Sequence, residues 1–246
     1  MSTRSVIGSG LNRALRPLNV QVISGTSTDP AVKKFIPARK TTAAARAAGL
    51  SVSAYIDQTY VEPGVTPALV KAMLAIADLS GKLGTVCEIG AGSGRYAEEV
   101  IAALHPDTYE VYETARDWLP MLRRLPNAVI RDCDGRTLAQ TKDASVELVH
   151  AQKVFVYIPF YAAVGYIEEM ARVVRPGGTV AFDVVTEDCL DRRTVSSWTR
   201  EGTTFHPFPK AWILAFLRER GLTLRGSSFT SLPPGTSELL VFRREV

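Results

Sequence analysis

The residues Val86-Cys87-Glu88-Ile89-Gly90-Ala91-Gly92-Ser93-Gly94-Arg95 constrain this chain more than any other stretch. A short apolar run ends in Glu88, glycines follow at alternate positions, and Tyr96-Ala97-Glu98-Glu99-Val100-Ile101 reads as helix. The pattern predicts a strand, a tight turn and a helix start. Glycine permits positive φ and lets the backbone come close to a ligand, and the free N–H groups of a helix start face whatever sits there. Taken alone, the motif fits a plain strand–helix turn or a dinucleotide fingerprint. The fingerprint, however, is G-x-G-x-x-G, and here the third glycine comes one residue early.

The rest of the sequence decides which surroundings the motif has. A chain of 246 residues fits one large domain, or a domain with an extension. Its charged share of 22% is too low for disorder beside 46% apolar residues. There is no apolar run of about 18 residues to span a bilayer, and no apolar signal-peptide core at the start, which points to the cytoplasm. Cys87, Cys133 and Cys189 are far apart and odd in number, which suits neither a zinc spacing nor a disulfide framework. Small buried residues is the expected role for them.

Charge is distributed unevenly. Residues 1–50 hold Arg4, Arg13, Arg16, Lys33, Lys34, Arg39, Lys40 and Arg46 against Asp29 alone, a net +7. The whole chain carries +4, so residues 51–246 carry −3 and do not look like a nucleic-acid binder. Within the extension, Val6, Ile7, Leu11, Leu15 and Leu18 fall at rough helical spacing between arginines. Three readings stay open for it: a helix on an anionic membrane surface, peripheral to the bilayer; a lid whose arginines grip a phosphate; or an extension packed on the acidic core.

Along the chain, residues 5–18 read as helix, 19–23 as strand and 25–30 as loop. Residues 41–48 are alanine-rich and helical. Ser51 is placed to cap a helix over 52–60, and Pro67 suits the first turn of one running to about 79. The expected division is a basic extension over 1–50, a helical cap over 51–80 and the main domain over 81–246. After Gly94, strands at 109–113, 128–130, 146–151 and 179–185 alternate with helices at 116–125 and 161–174. Pro120 sits awkwardly inside the first of these helices. A helix over 212–220 ends at Gly221, and strands at 222–229 and 238–242 flank Pro233-Pro234-Gly235. Such alternation predicts a parallel sheet covered on both faces, binding ligands at the carboxyl ends of its strands.

Three further pieces come in order. Glu113 ends the second strand, where a carboxylate can accept from both ribose hydroxyls of an adenosine. Asp132-Cys133-Asp134-Gly135 succeeds the third strand, and Arg175-Pro176-Gly177-Gly178 precedes the fifth. Together with Glu88-x-Gly90-x-Gly92-x-Gly94, these resemble the successive motifs of class I S-adenosylmethionine-dependent methyltransferases over roughly residues 80–185.

The resemblance implies a Rossmann-like, doubly wound seven-stranded sheet with its last strand antiparallel, and S-adenosylmethionine as methyl donor. It implies that Glu88, Gly90, Ala91, Gly92 and Gly94 line the methionine end and that Glu113 holds the ribose. Asp134 and Gly135 would meet the adenine, and His150, Ala151 and Gln152 would sit beside the sulfonium. The family pattern after strand three is Gly-Asp-Ala; the second acid, Asp132, leaves open which aspartate reaches adenine, and Asp134 is favoured.

Methyl transfer needs an in-line approach to the methyl carbon, so the protein supplies orientation and electrostatics. An alcohol acceptor also needs its proton removed. His150 is the expected base, with Asp183, Glu187 and His206 as alternatives and His105 structural. No divalent-metal cluster is evident, so metal-free transfer is expected. Tyr55, Tyr60, Tyr157, Phe160 and Tyr161 are candidates to roof a pocket, each also explicable as core. The reading that results is O-methylation of a small molecule: a sugar, a glycolipid or another secondary metabolite. The alternatives are N-methylation of a small amine or lipid headgroup, a non-catalytic S-adenosylmethionine-binding protein, and a nicotinamide-dependent oxidoreductase.

Overall fold

The computed structural model describes residues 36–203 and 205–246, and Pro37–Val246 forms one compact unit. The elements expected at 5–18, 19–23 and 25–30 lie outside the described residues. The described helices are α1 (Ala38–Ala47), α2 (Val52–Tyr60), α3 (Val65–Ala77), α4 (Arg95–Leu104), α5 (Leu119–Leu122), α6 (Phe160–Val173), α7 (Arg192–Glu201) and α8 (Lys210–Arg218). The strands are β1 (Thr85–Ile89), β2 (Thr108–Tyr112), β3 (Ala128–Arg131), β4 (Val146–Ala151), β5 (Val174–Thr186), β6 (Pro207–Phe208), β7 (Leu222–Leu232) and β8 (Gly235–Arg244).

Seven strands follow one path in the order β3-β2-β1-β4-β5-β8-β7, and the two-residue β6 pairs with Val185 and Thr186 of β5 as an eighth. Strands β1 to β5 are mutually parallel, while β8 runs antiparallel to both neighbours. The strand order reverses between β1 and β4. At such a switch point, outside the carboxyl ends of the strands, doubly wound sheets have the crevice in which they bind ligands.

One face of the sheet packs Val149, Ala151, Val180, Phe182, Leu240 and Phe242 against Ile167 and Met170 of α6 and Ile213 and Leu217 of α8. Because side chains alternate along a strand, Leu148 and His150 of β4 turn to the opposite face.

Local chemistry accounts for the helix starts. Ser51 Oγ accepts the Ala54 N–H at 3.1 Å and caps α2. Asp191 caps α7 through the Thr194 N–H at 2.6 Å, an element not expected from the sequence. The helix expected at 116–125 shrinks to the four residues of α5. It starts late enough that Pro120 falls in its first turn, where a missing N–H costs nothing.

The Arg175-Pro176-Gly177-Gly178 turn is absorbed into β5. Val146 pairs with Val174, yet Leu148 pairs with Thr179, so the turn forms a bulge of extra residues against β4. A Cβ on Gly178 would lie 2.7 Å from Val174 Cγ2 and 2.9 Å from the Arg175 carbonyl, which is why only glycine closes it.

The expected boundary at residue 50 falls inside the compact unit. Helix α1 is bonded to the core through the Ala38 N–H to Asp117 Oδ2 at 2.9 Å and the Thr42 hydroxyl to Met121 Sδ at 3.7 Å.

Candidate active site

The turn after β1 sits at the switch point. Gly90 has φ 68°, and its N–H donates to the Tyr112 carbonyl at 2.7 Å, joining the ends of β1 and β2. A Cβ at Gly90 would stand 2.5 Å from Val154 Cγ2, so the loop after β4 closes directly on the turn. On the other side the turn is open: around a Cβ built on Gly92 the nearest atom is the Gly90 carbonyl, 4.0 Å away. Ala91 is buried beside it, and Gly94 caps α4.

Glu113 comes directly after β2 and folds back on this turn. Its Oε2 accepts the Gly92 N–H at 2.5 Å and its Oε1 the Ala115 N–H at 2.6 Å. Each oxygen keeps a further lone pair for a hydroxyl donor. Gly135 comes to the same corner, its Cβ direction meeting Thr114 Cγ2 at 3.6 Å.

Asp134 is exposed and spends its carboxylate on its own turn. Oδ1 accepts the N–H groups of Thr137 and Arg136 at 2.7 and 2.8 Å, and Oδ2 accepts the Thr137 hydroxyl at 2.8 Å. These bonds, the Thr137 N–H foremost, hold its carboxyl below the usual range. Asp132 is clamped to Gln140 instead, donating its N–H to Oε1 at 2.8 Å and accepting from Nε2 at 2.9 Å.

Beneath the turn lies a buried polar row. Glu88 and His150 are register partners on β1 and β4, and the Tyr109 hydroxyl of β2 stands between them. It donates to Glu88 Oε2 at 2.8 Å and lies 2.9 Å from His150 Nε2. Burial pushes the Glu88 carboxyl up to about 8 and the His150 imidazole down to about 3. Both groups are therefore neutral near pH 7. Glu88 Oε1, His150 Nδ1 and Gln152 Oε1 are buried without a hydrogen-bond partner among the described residues. Gln152 donates its amide to Met73 Sδ of α3 at 3.3 Å, while Ala151 turns into the core of the opposite face.

The expected base, His150, is set back from solvent: its ring is 0% exposed and faces Tyr109, and burial disfavours its charged form. Asp183 is no better placed, because both oxygens are engaged. Lys153 donates its N–H to Oδ1 at 2.5 Å and its ammonium to Oδ2 at 3.1 Å, and Ser237 Oγ donates to Oδ2 at 2.6 Å. Lys153 Nζ also reaches Ser237 Oγ at 2.6 Å and the Ser231 carbonyl at 2.9 Å.

Lys153 thus ties the loop after β4 to β5, β7 and β8. Sequence reasoning missed it, although a single cation inside Val149 to Ile158, an otherwise uncharged run apart from His150, was the available signal. Also missed was Asp57. It accepts Arg95 NH1 at 2.8 Å and both the N–H and hydroxyl of Thr66, at 3.2 and 2.7 Å, joining α2 and α3 to the residue after Gly94.

The remaining candidates separate. His105 closes α4 with φ 42°, at the edge where β2 begins and away from the crevice. Glu187 accepts the Lys210 N–H at 2.9 Å at the start of α8. His206 is half-buried where the loop after β4 meets the strand paired with the end of β5: its N–H donates to the Val156 carbonyl at 3.1 Å, and β6 begins at the next residue.

The aromatic candidates divide as well. Tyr157 packs on Phe205, which packs on Trp198, beside His206. Phe160 packs on Tyr161, Phe208 and Trp212, and Tyr161 is 86% exposed.

Compared with known proteins, residues 64–225 match the model of a family described as a methyltransferase domain. No curated protein matches the sequence significantly. Solved structures share the fold at low identity. One is magnesium protoporphyrin IX methyltransferase from Synechocystis PCC 6803 with bound SAH, at 14% identity and TM-score 0.58, covering 98% of this chain and 100% of that one. Another is the N-methyltransferase NodS from Bradyrhizobium japonicum WM9 in complex with S-adenosyl-L-homocysteine, at 17% and 0.54, covering 74% and 88%. An O-methyltransferase family protein from Burkholderia thailandensis matches at 16% and 0.57, covering 96% and 83%.

Proposed function

We propose that this chain, which belongs to the family of methyltransferase domains, methylates the hydroxyl of a small molecule, a sugar, glycolipid or other secondary metabolite, with S-adenosylmethionine as donor. The observation that carries the donor assignment is the Glu113 carboxylate bonded across to the Gly92 N–H at the switch point. It is a buried anion with lone pairs to spare for two vicinal hydroxyls, beside a turn whose outer side is open. A nicotinamide fingerprint would need its third glycine one residue later.

The cofactor supplies the methyl group and its leaving group, and the chain supplies binding and orientation. Glu113 receives the ribose hydroxyls, and Gly135, against Thr114, offers its N–H to the adenine edge. Asp134 has its carboxylate held by Thr137 and Arg136, so its contribution is to shape that turn. Glu88 and Gln152 each keep a buried oxygen without a partner next to the turn. These two oxygens would hold the ammonium of the donor's methionine end; left unpaired, each remains a desolvation cost. The Lys153–Asp183 pair holds the loop after β4 against Gly90, fixing the wall along which an acceptor approaches in line.

Of the described histidines, His206 alone is both accessible and bonded to the loop after β4. We assign it the removal of the acceptor's proton, with Tyr157 and Phe205 forming the adjoining apolar wall.

The deciding experiment supplies S-adenosylmethionine with a labelled methyl group and fractionated cell extract, and tracks label into small molecules. Calorimetry runs in parallel with S-adenosylmethionine, its demethylated product and NAD. Transfer of label to an alkali-stable small-molecule product, with binding of the first two ligands, supports the reading. Tight NAD binding with no affinity for the other two overturns it.

A further inference from the structure

We propose that the face formed by α1 and the segment 114–127 docks on a membrane surface bearing anionic phospholipid. Ala38 bonds to Asp117 and Thr42 to Met121, both pairs 79 residues apart. Helix α1 therefore runs alongside the α5 segment in the same direction, and both carry exposed cations. Ala38, Thr41 and Ala45 form the buried side of α1, leaving Arg39, Lys40 and Arg46 outward. Arg116, Arg123 and Arg124 are exposed along the neighbouring segment.

Within 36–50 and 114–127 the sole acid is Asp117, and its Oδ2 accepts the Ala38 N–H. Among the described residues none of these six cations makes an ion pair. Two parallel rows of unpaired cations are costly to keep together unless a polyanion faces them.

The sequence favours lipid over nucleic acid as that polyanion. In Lys33-Lys34-Phe35-Ile36-Pro37-Ala38-Arg39-Lys40, the apolar pair Phe35-Ile36 lies between two pairs of cations and no acid intervenes. Cations alone serve any polyanion, whereas apolar groups among them gain only where there is a hydrocarbon boundary to enter. The net −3 of residues 51–246 also works against a long nucleic acid wrapping the domain. The docked face adjoins the loop from Glu113 to Asp117, so the crevice would lie close to the bilayer surface.

The test uses the full chain and co-sedimentation with phosphatidylcholine vesicles containing about one-third phosphatidylserine. The expected result is binding that weakens with added salt and disappears on pure phosphatidylcholine. The double variants Arg39→Gln/Lys40→Gln and Arg123→Gln/Arg124→Gln should each lower the partition coefficient by about tenfold or more, with unchanged melting temperature. Failure to sediment with phosphatidylserine vesicles at low salt overturns the proposal, as does binding that neither double variant reduces. An effect of the first pair alone confines docking to the chain before α2 and overturns the two-row face. Retention on duplex RNA stronger than on the vesicles at equal salt assigns the face to nucleic acid and overturns it as well.

Discussion

Glu113 Oε2 accepts the Gly92 N–H at 2.5 Å across 21 residues of sequence, so the carboxylate expected to hold a ribose also holds the glycine turn in shape. Glu113→Ala should therefore weaken S-adenosylmethionine binding by more than the loss of one contact. A hydrogen bond to a charged group contributes about 1.5–3 kcal/mol, so affinity should fall at least tenfold. Calorimetric titration of the variant decides this; affinity within twofold of the parent would show that the carboxylate serves the turn only.

The pH dependence of stability should carry the signature of Glu88. Burial raises its folded pKa to about 8 from an ordinary 4.5, so between these values the folded state holds a proton that the unfolded state releases. Its contribution to stability is full below the unfolded pKa and is lost as pH rises toward 8. His150 acts oppositely: its pKa is lowered to about 3 from 6.5, so its penalty grows as pH falls from 6.5 toward 3. Glu88→Gln cannot ionise. Thermal unfolding of ligand-free protein should show the variant gaining on the parent from about pH 5.5 to about pH 8; a constant difference would mean Glu88 titrates normally.

His150 and His206 should fail in different ways. His150→Ala removes a buried partner of Tyr109 and should lower the melting temperature, with a loss of about 1–3 kcal/mol. His206→Ala should leave folding intact and lower kcat by about a hundredfold, the usual scale for a lost general base. If His206→Ala turns over at the parent rate, the acceptor needs no base from this loop, which would favour an amine.

Gly178→Ala tests the bulge in β5. The added carbon would lie within 3.0 Å of the Arg175 and Val146 carbonyls as well as Val174, and backbone cannot move as a side-chain tip can. The expected cost is about 1–3 kcal/mol in chemical denaturation. An unchanged midpoint would mean that β4 and β5 separate freely there.

Features set by neighbours along the chain were legible before any folding was considered. Glycine spacing dictated the turn after β1, Ser51 dictated the start of α2, and strand–helix alternation dictated the parallel sheet. The position of Glu113 at the end of β2 was legible because the apolar run of the strand stops there whatever the neighbouring strands are.

Features that depend on partners across the sheet emerged with the folded chain alone. His150 and Ala151 are adjacent, yet one faces Tyr109 and the other the opposite core. Which of the two turns toward a ligand is set by strand order and register, which a single strand does not contain. The same holds for Lys153: its apolar surroundings were visible in the chain, but Asp183, Ser237 and Ser231 come to it from three other strands. Arg175-Pro176-Gly177-Gly178 has the composition of a loop, and pairing of β5 with β4 on both sides of it makes it a bulge. Side chains assigned from local pattern alone hold their place when the backbone dictates it; buried charge is placed by whatever can neutralise it, and those partners lie far away in sequence.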